Sequence, residues 1–169
     1  MNYPTDNPNN HPDYQDGHTC YGEGALDNGT MPANVASLAE FVVGHRIVNV
    51  RKSVSGETFK HEYCWDEYPD LIIELDNGIR VGLANSGDCC AYTELKEFLL
   101  HHDRVDHIIT GVASTDGYTR WHVYADMGDV LELTVDWSAG NAFYYGYGFD
   151  MGIVPIEGEV LEELLELES

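Results

Sequence analysis

Asp70-Leu71-Ile72-Ile73-Glu74-Leu75-Asp76-Asn77-Gly78-Ile79-Arg80-Val81-Gly82-Leu83 is the stretch on which the fold turns. Leu71, Ile73 and Leu75 alternate with their neighbours, as do Ile79, Val81 and Leu83, and a period of two marks strands with one apolar face. The intervening Asp76-Asn77-Gly78 allows two registers. A two-residue Asn-Gly loop pairs Leu75 with Arg80 and splits the apolar side chains between faces. A three-residue loop pairs Leu75 with Ile79, Ile73 with Val81 and Leu71 with Leu83, all on one face. The hydrophobic register selects the second, a type I turn with Gly78 in the left-handed conformation forming a bulge.

Working upstream, Asn34 to Val43 fits a short helix capped by Asn34, with Leu38, Phe41 and Val42 on one side and Gly44 ending it. Arg46 to Val54 is rich in Val and Ile and is expected to be a strand, closed by a turn at Ser55-Gly56-Glu57. Thr58 to Pro69, with Phe59, Tyr63, Trp65 and Tyr68, suits a packed loop or irregular strand. Before the helix, residues 1–30 are dense in Asn, Asp, Gly and Pro, which defeat both helix and strand.

Downstream, Ser86-Gly87-Asp88 breaks the strand, and Thr93 is expected to cap a helix to about His101, with Leu95, Phe98 and Leu99 at i, i+3 and i+4. A three-stranded meander follows: Val105 to Thr115, Thr119 to Asp126 and Val130 to Trp137. A two-residue turn at Asp116-Gly117 places Val112 opposite Trp121 and Ile108 opposite Ala125. The loop Met127-Gly128-Asp129 places Val123 opposite Leu133 and Trp121 opposite Val135. Phe143 to Val154 is expected to be a strand with an aromatic face and a bare face of Gly146, Gly148 and Gly152, open to close approach by another element. Glu157 to Ser169 forms an amphipathic helix that either covers that glycine face or docks a partner. The expected architecture is α+β: a single domain, residues 34–156, built on a mostly antiparallel twisted sheet with two or three short helices. An irregular acidic arm (1–33) precedes it and the acidic helix (157–169) follows.

The chain has 169 residues, 43% of them hydrophobic, so it can bury a core. Thirty acidic side chains face eight basic ones, for a net charge of −22. That field repels phosphate backbones, which argues against direct nucleic-acid binding, and it attracts basic protein surfaces. Seven of the eight basic residues lie between Arg46 and Arg104, so an acidic surface is expected on the meander and the two termini. Asp126, Asp129, Glu132 and Asp136, with Glu162, Glu163 and Glu166, are the candidate binding carboxylates. The opening residues lack a secretory pattern, and no apolar run approaches the roughly 18 residues of a membrane span.

Three constellations bear on chemistry. On the outer face of the meander, the expected registers bring His107 opposite Asp126, Arg120 opposite Asp136, Tyr124 opposite Glu132 and His122 opposite Thr134. His107 with Asp126 suits a general base, although cross-strand charge pairs on an ordinary polar face explain the same residues. Cys90, in Asp88-Cys89-Cys90-Ala91-Tyr92, precedes the expected helix at Thr93, whose dipole would lower a thiol pKa; a buried, inert thiol is the alternative. The eight His and four Cys reach no four-ligand set at a recognised spacing, so no metal and no cofactor is expected.

Gly87-Asp88-Cys89-Cys90-Ala91-Tyr92-Thr93-Glu94, Asp106-His107-Ile108-Ile109-Thr110-Gly111, Thr115-Asp116-Gly117-Tyr118, Gly128-Asp129-Val130-Leu131-Glu132-Leu133 and the Phe143 to Asp150 run carry a resemblance. Across about residues 72–155 the chain resembles a family of small uncharacterised proteins of actinobacteriophages. The resemblance implies viral origin and action in the cytoplasm of a bacterial host, and it carries no catalytic residue. The expected function is therefore an acidic interaction protein that binds and inhibits or redirects a basic host protein, such as a nucleic-acid-binding or defence protein, with nucleic-acid mimicry as one means. A small-molecule-binding or thiol-dependent enzyme built on the Cys89-Cys90 loop is one alternative, and a virion component another.

Overall fold

In the computed structural model the described residues are 31–60, 66–88, 91–138 and 147–155. Residues 1–30 of the expected arm, the expected C-terminal helix with Glu162, Glu163 and Glu166, and all four cysteines lie outside them. The elements run α1 (Met31–Val42), β1 (Ile47–Lys52), β2 (Phe59–Lys60), β3 (Asp66–Glu67), β4 (Leu71–Leu75), β5 (Arg80–Ala84), β6 (Ser86–Asp88), β7 (Ala91–Leu100), β8 (Gly111–Thr115), β9 (Arg120–Ala125), β10 (Gly128–Ser138) and β11 (Asp150–Ile153). The architecture is mainly β, with antiparallel strands and one helix among the described residues. A four-stranded sheet, β1-β4-β5-β11, and a five-stranded sheet, β6-β7-β10-β9-β8, replace the expected single sheet.

The β4–β5 hairpin has the expected register: Leu71 faces Leu83, Ile73 faces Val81, and the Leu75 amide donates to the Ile79 carbonyl at 2.9 Å. Gly78 sits at φ 84°, where a Cβ would crowd the backbone. Leu71, Ile73, Val81 and Leu83 meet Trp121, Val123, Leu131 and Leu133 of the other sheet in one core, closed by Leu38 and Val42 of α1. Two packed sheets bury one face each, which explains the alternating burial along β10. The helix begins at least as early as Met31, with Pro32 tolerated in its first turn. Asn34 therefore caps nothing. Its side chain instead donates to the Phe149 carbonyl (2.7 Å) and accepts from the Phe149 amide (2.9 Å).

The expected helix from Thr93 to His101 is a strand, β7. Its partner β10 pairs Val135 with Leu95 and Thr134 with Glu97, which leaves Lys96 as an extra residue. That bulge sets Leu95 and Phe98, three apart, both opposite core residues of β10, and so reproduces helical spacing within a strand. Thr93 is buried, and its hydroxyl accepts from the Gly148 amide at 2.6 Å.

Both meander registers slip by two from expectation. Val112 faces Val123, because Asp116 to Thr119 form a four-residue loop with Asp116, Gly117 and Tyr118 all at positive φ. The indoles hold that loop: Trp121 donates to the Tyr118 carbonyl and Trp137 to the Gly117 carbonyl. Leu131 faces Val123 and Leu133 faces Trp121. A slip of two keeps the paired residues on their expected faces but changes their partners, whereas Ile108, expected opposite Ala125, precedes β8 and is exposed while Ile109 is buried.

Only the end of the expected Phe143 to Val154 strand is seen, as β11, since 139–146 lie outside the described residues. Its glycine face is met by Phe59 of β2. Phe59, Ile72, Ala84 and Val154 form a second, smaller core on the far side of the four-stranded sheet.

Candidate functional site

One end of the molecule gathers four connections: the exit of α1, the β4–β5 turn, residues 101–110 and the β9–β10 turn. Backbone bonds knit them together, with the Gly44 amide on the Ile109 carbonyl, the Ile109 amide on the His45 carbonyl, and the Asp76 amide on the Arg46 carbonyl. Side chains continue the weave. His45 contacts Asp76 (3.3 Å), Arg46 donates to the Asp106 carbonyl (2.9 Å), and Arg104 donates to the Asp129 carbonyl (3.0 Å).

The expected His107–Asp126 pair is present, with Nδ1 and Oδ1 2.6 Å apart, although His107 lies in the 101–110 connection rather than on a strand rung. Asp106 approaches the other ring nitrogen at 3.7 Å. Asp126 and Asp106 are 72% and 82% exposed, so both carboxylates beside His107 stand in solvent. Asp103 is equally open at 77%. The same two connections carry two exposed apolar side chains, Ile108 in 101–110 and Met127 in the β9–β10 turn.

The outer face of the five-stranded sheet holds a second cluster. β10 carries a bulge: Asp129 faces Tyr124 while Leu131 faces Val123, so Val130 is extra. Val130 and Leu131 both turn into the core, and Asp129 and Glu132, three apart, both turn outward beside His122. His122 Nδ1 lies 2.9 Å from an Asp129 carboxylate oxygen, and its Nε2 lies 2.9 Å from the Thr115 hydroxyl. Glu132 receives His101 Nε2 (2.7 Å) on one oxygen and Arg120 (3.1 Å) on the other. Burial pushes the Glu132 carboxyl up, but the bonds from His101 and Arg120 outweigh it and hold its pKa below the usual range.

The expected partners therefore change. Arg120 meets Glu132 rather than Asp136, Tyr124 lies across from Asp129 rather than Glu132, and His122 faces Glu132 rather than Thr134. Of the candidate binding carboxylates, Asp126 is open, and Asp136 is half open beside Tyr92 (3.3 Å) and Lys96 (4.0 Å). Burial, together with the Asp136 charge, raises the Tyr92 pKa. Asp129 and Glu132 are turned inward, at 14% and 19% exposure. One donor atom each from His122, Asp129 and Glu132 lies within 4.8 Å of the others, a grouping able to hold a metal ion. Sequence reasoning missed it because a two-residue slip separates these residues. The trace of the bulge was Val130-Leu131, adjacent apolar residues inside an alternating strand.

The reactive-thiol expectation loses its support. Cys89 and Cys90 lie outside the described residues, and the element after them is β7, paired with β6 through Ser86–Thr93 and Asp88–Ala91. The helix at Thr93 whose dipole was expected to act on Cys90 is therefore replaced by a strand. A cleft of about 340 Å³ lies between α1 and residues 149–151, lined by Asn34, Phe41, Phe149 and Met151 with Glu40 and Asp150. Among the described residues, no helix is long and apolar enough to cross a membrane.

A protein-family model described as a domain of unknown function, DUF7448, matches residues 40–151, from within α1 to the start of β11. No curated protein and no solved structure matches the chain.

Proposed function

We propose that this chain, which belongs to the DUF7448 family of domains of unknown function, is an acidic interaction protein that docks a basic surface of another protein. The observation that carries this reading is the end built from residues 101–110 and the β9–β10 turn. There Asp103, Asp106 and Asp126, each more than 70% exposed, share two adjoining connections with the exposed Ile108 and Met127. Carboxylates around apolar side chains are the complement of a basic rim around an apolar centre. The net charge of −22 steers such a partner toward the chain and turns phosphate backbones away.

The carboxylates that bind are then those of the loop end, with Asp136 peripheral, because Asp129 and Glu132 are engaged with histidine and arginine. The resemblance to actinobacteriophage proteins makes the partner a basic host protein, nucleic-acid-binding or defensive, bound in the cytoplasm of a bacterial host and inhibited or redirected by the contact.

The test is capture from host lysate with wild-type protein and with Asp103→Asn/Asp106→Asn/Asp126→Asn, each protein identified. The expected result is a basic protein held at low salt, released as salt rises and absent from the triple variant. Capture of the same proteins by both forms, or no salt dependence, overturns the reading.

A further inference from the structure

We infer that His122, Asp129 and Glu132 form a binding site for one divalent first-row transition-metal ion on the outer face of the five-stranded sheet. The three residues come from neighbouring strands, and their donor atoms fall within 4.8 Å of one another. His122 is 8% exposed. Its Nδ1 stands 2.9 Å from Asp129. Two ligands each about 2.1 Å from a shared ion lie about 3.0–3.4 Å apart, so a small relaxation admits the ion between them in place of the proton they share.

The surroundings match what a ligating histidine needs. The far nitrogen of His122 meets the Thr115 hydroxyl at 2.9 Å, the outer bond that fixes ring orientation and leaves Nδ1 for the metal. His101 and Arg120 take one lone pair on each Glu132 oxygen and orient the carboxylate, and a carboxylate has further lone pairs to give. The β10 bulge is what brings Asp129 to this face. In a regular strand, residues 129 and 132 would point to opposite sides. One imidazole and two carboxylates suit zinc, manganese, iron(II) or cobalt rather than soft, thiolate-seeking ions.

Cobalt(II) is the probe, because the chain also holds four cysteines and cobalt bound to thiolate announces itself by an intense sulfur-to-metal charge-transfer band. The expected result is one equivalent bound per full-length chain, with weak visible bands and no sulfur band. Asp129→Asn and Glu132→Gln, whose folding is checked by circular dichroism, should each weaken binding at least about tenfold, and Asp66→Asn, at an exposed carboxylate on β3, should leave it unchanged. Three results overturn the proposal: no binding by the wild type, a thiolate spectrum alone, or equal binding by the wild type and both carboxylate variants. The wild-type titration decides even if a variant fails to fold.

Discussion

Gly152→Ala tests the packing that fixes β11 against the four-stranded sheet. A methyl at Gly152 would lie 2.9 Å from Phe59 Cγ and 3.0 Å from Cε2, and nearer still to Cδ2. Carbon atoms in contact normally sit about 3.5–4.0 Å apart, so the ring must retreat by roughly 1 Å. It has nowhere to go. Phe59 is 2% exposed, and across the ladder Gly82 also brings backbone close: a Cβ there would be 3.0 Å from Phe59 Cδ1 and 2.8 Å from Val154 Cγ2.

Overpacking of this kind costs about 1–3 kcal/mol, and losing the whole ring costs about 3–5 kcal/mol, so the expected destabilisation is about 2–3 kcal/mol. For a chain of this size that lowers Tm by roughly 4–12 °C. Urea unfolding followed by tryptophan fluorescence should show a lower midpoint at unchanged slope. Phe59→Ala combined with Gly152→Ala should cost less than the sum of the two single changes by at least about 1 kcal/mol, because the added methyl then occupies the vacated space. A single-variant cost below about 0.5 kcal/mol, or an additive pair, would refute the contact.

Two further outcomes follow from named contacts. Glu57 is held at a pKa of about 2, against an ordinary 4.5, chiefly by the Arg51 guanidinium bonded to both its oxygens at 2.7 Å. A carboxylate with a depressed folded-state pKa stabilises fully above its ordinary value and loses that contribution as pH falls through the folded one. Glu57→Gln should therefore lower stability by about 2 kcal/mol at pH 7, with the gap from wild type closing between about pH 4.5 and 2 in thermal melts. Asn34→Ala strips both partners from the Phe149 backbone and should cost about 2–4 kcal/mol in urea unfolding. Asn34→Asp, which still accepts from the amide but turns a carboxylate toward the carbonyl, should recover only part of that loss.

The hairpin was legible because only one loop length puts its six alternating apolar residues on one face, with Ile72 turned to the second core. The meander was legible in the faces of its paired strands and not in its rungs, and residues 105–110 left the ladder, so that Ile109 rather than Ile108 is buried. Side-chain alternation has period two, so a slip of two residues is invisible to hydrophobic pattern, and the Tyr118 backbone that lengthens the turn carries no sequence mark. Bulges explain most of what was misread. Lys96 makes Leu95 and Phe98 imitate a helix, and Val130 swings Asp129 next to His122. In β1 the same device leaves Val48 outside the ladder, exposed between Ile47 and Val50. The charge was legible in amount and only partly in place. Asp126 stands open as expected, whereas Asp129 and Glu132 lie within a hydrogen-bonded network that only tertiary structure assembles.

Hydrogen–deuterium exchange of the chain alone and with its captured basic partner tests the central claim most directly. The account predicts protection concentrated in residues 101–110 and the Asp126-Met127 turn, fading as salt rises. Unchanged exchange there, with protection confined to the outer edge of β1 or to the cleft beside α1, would contradict it.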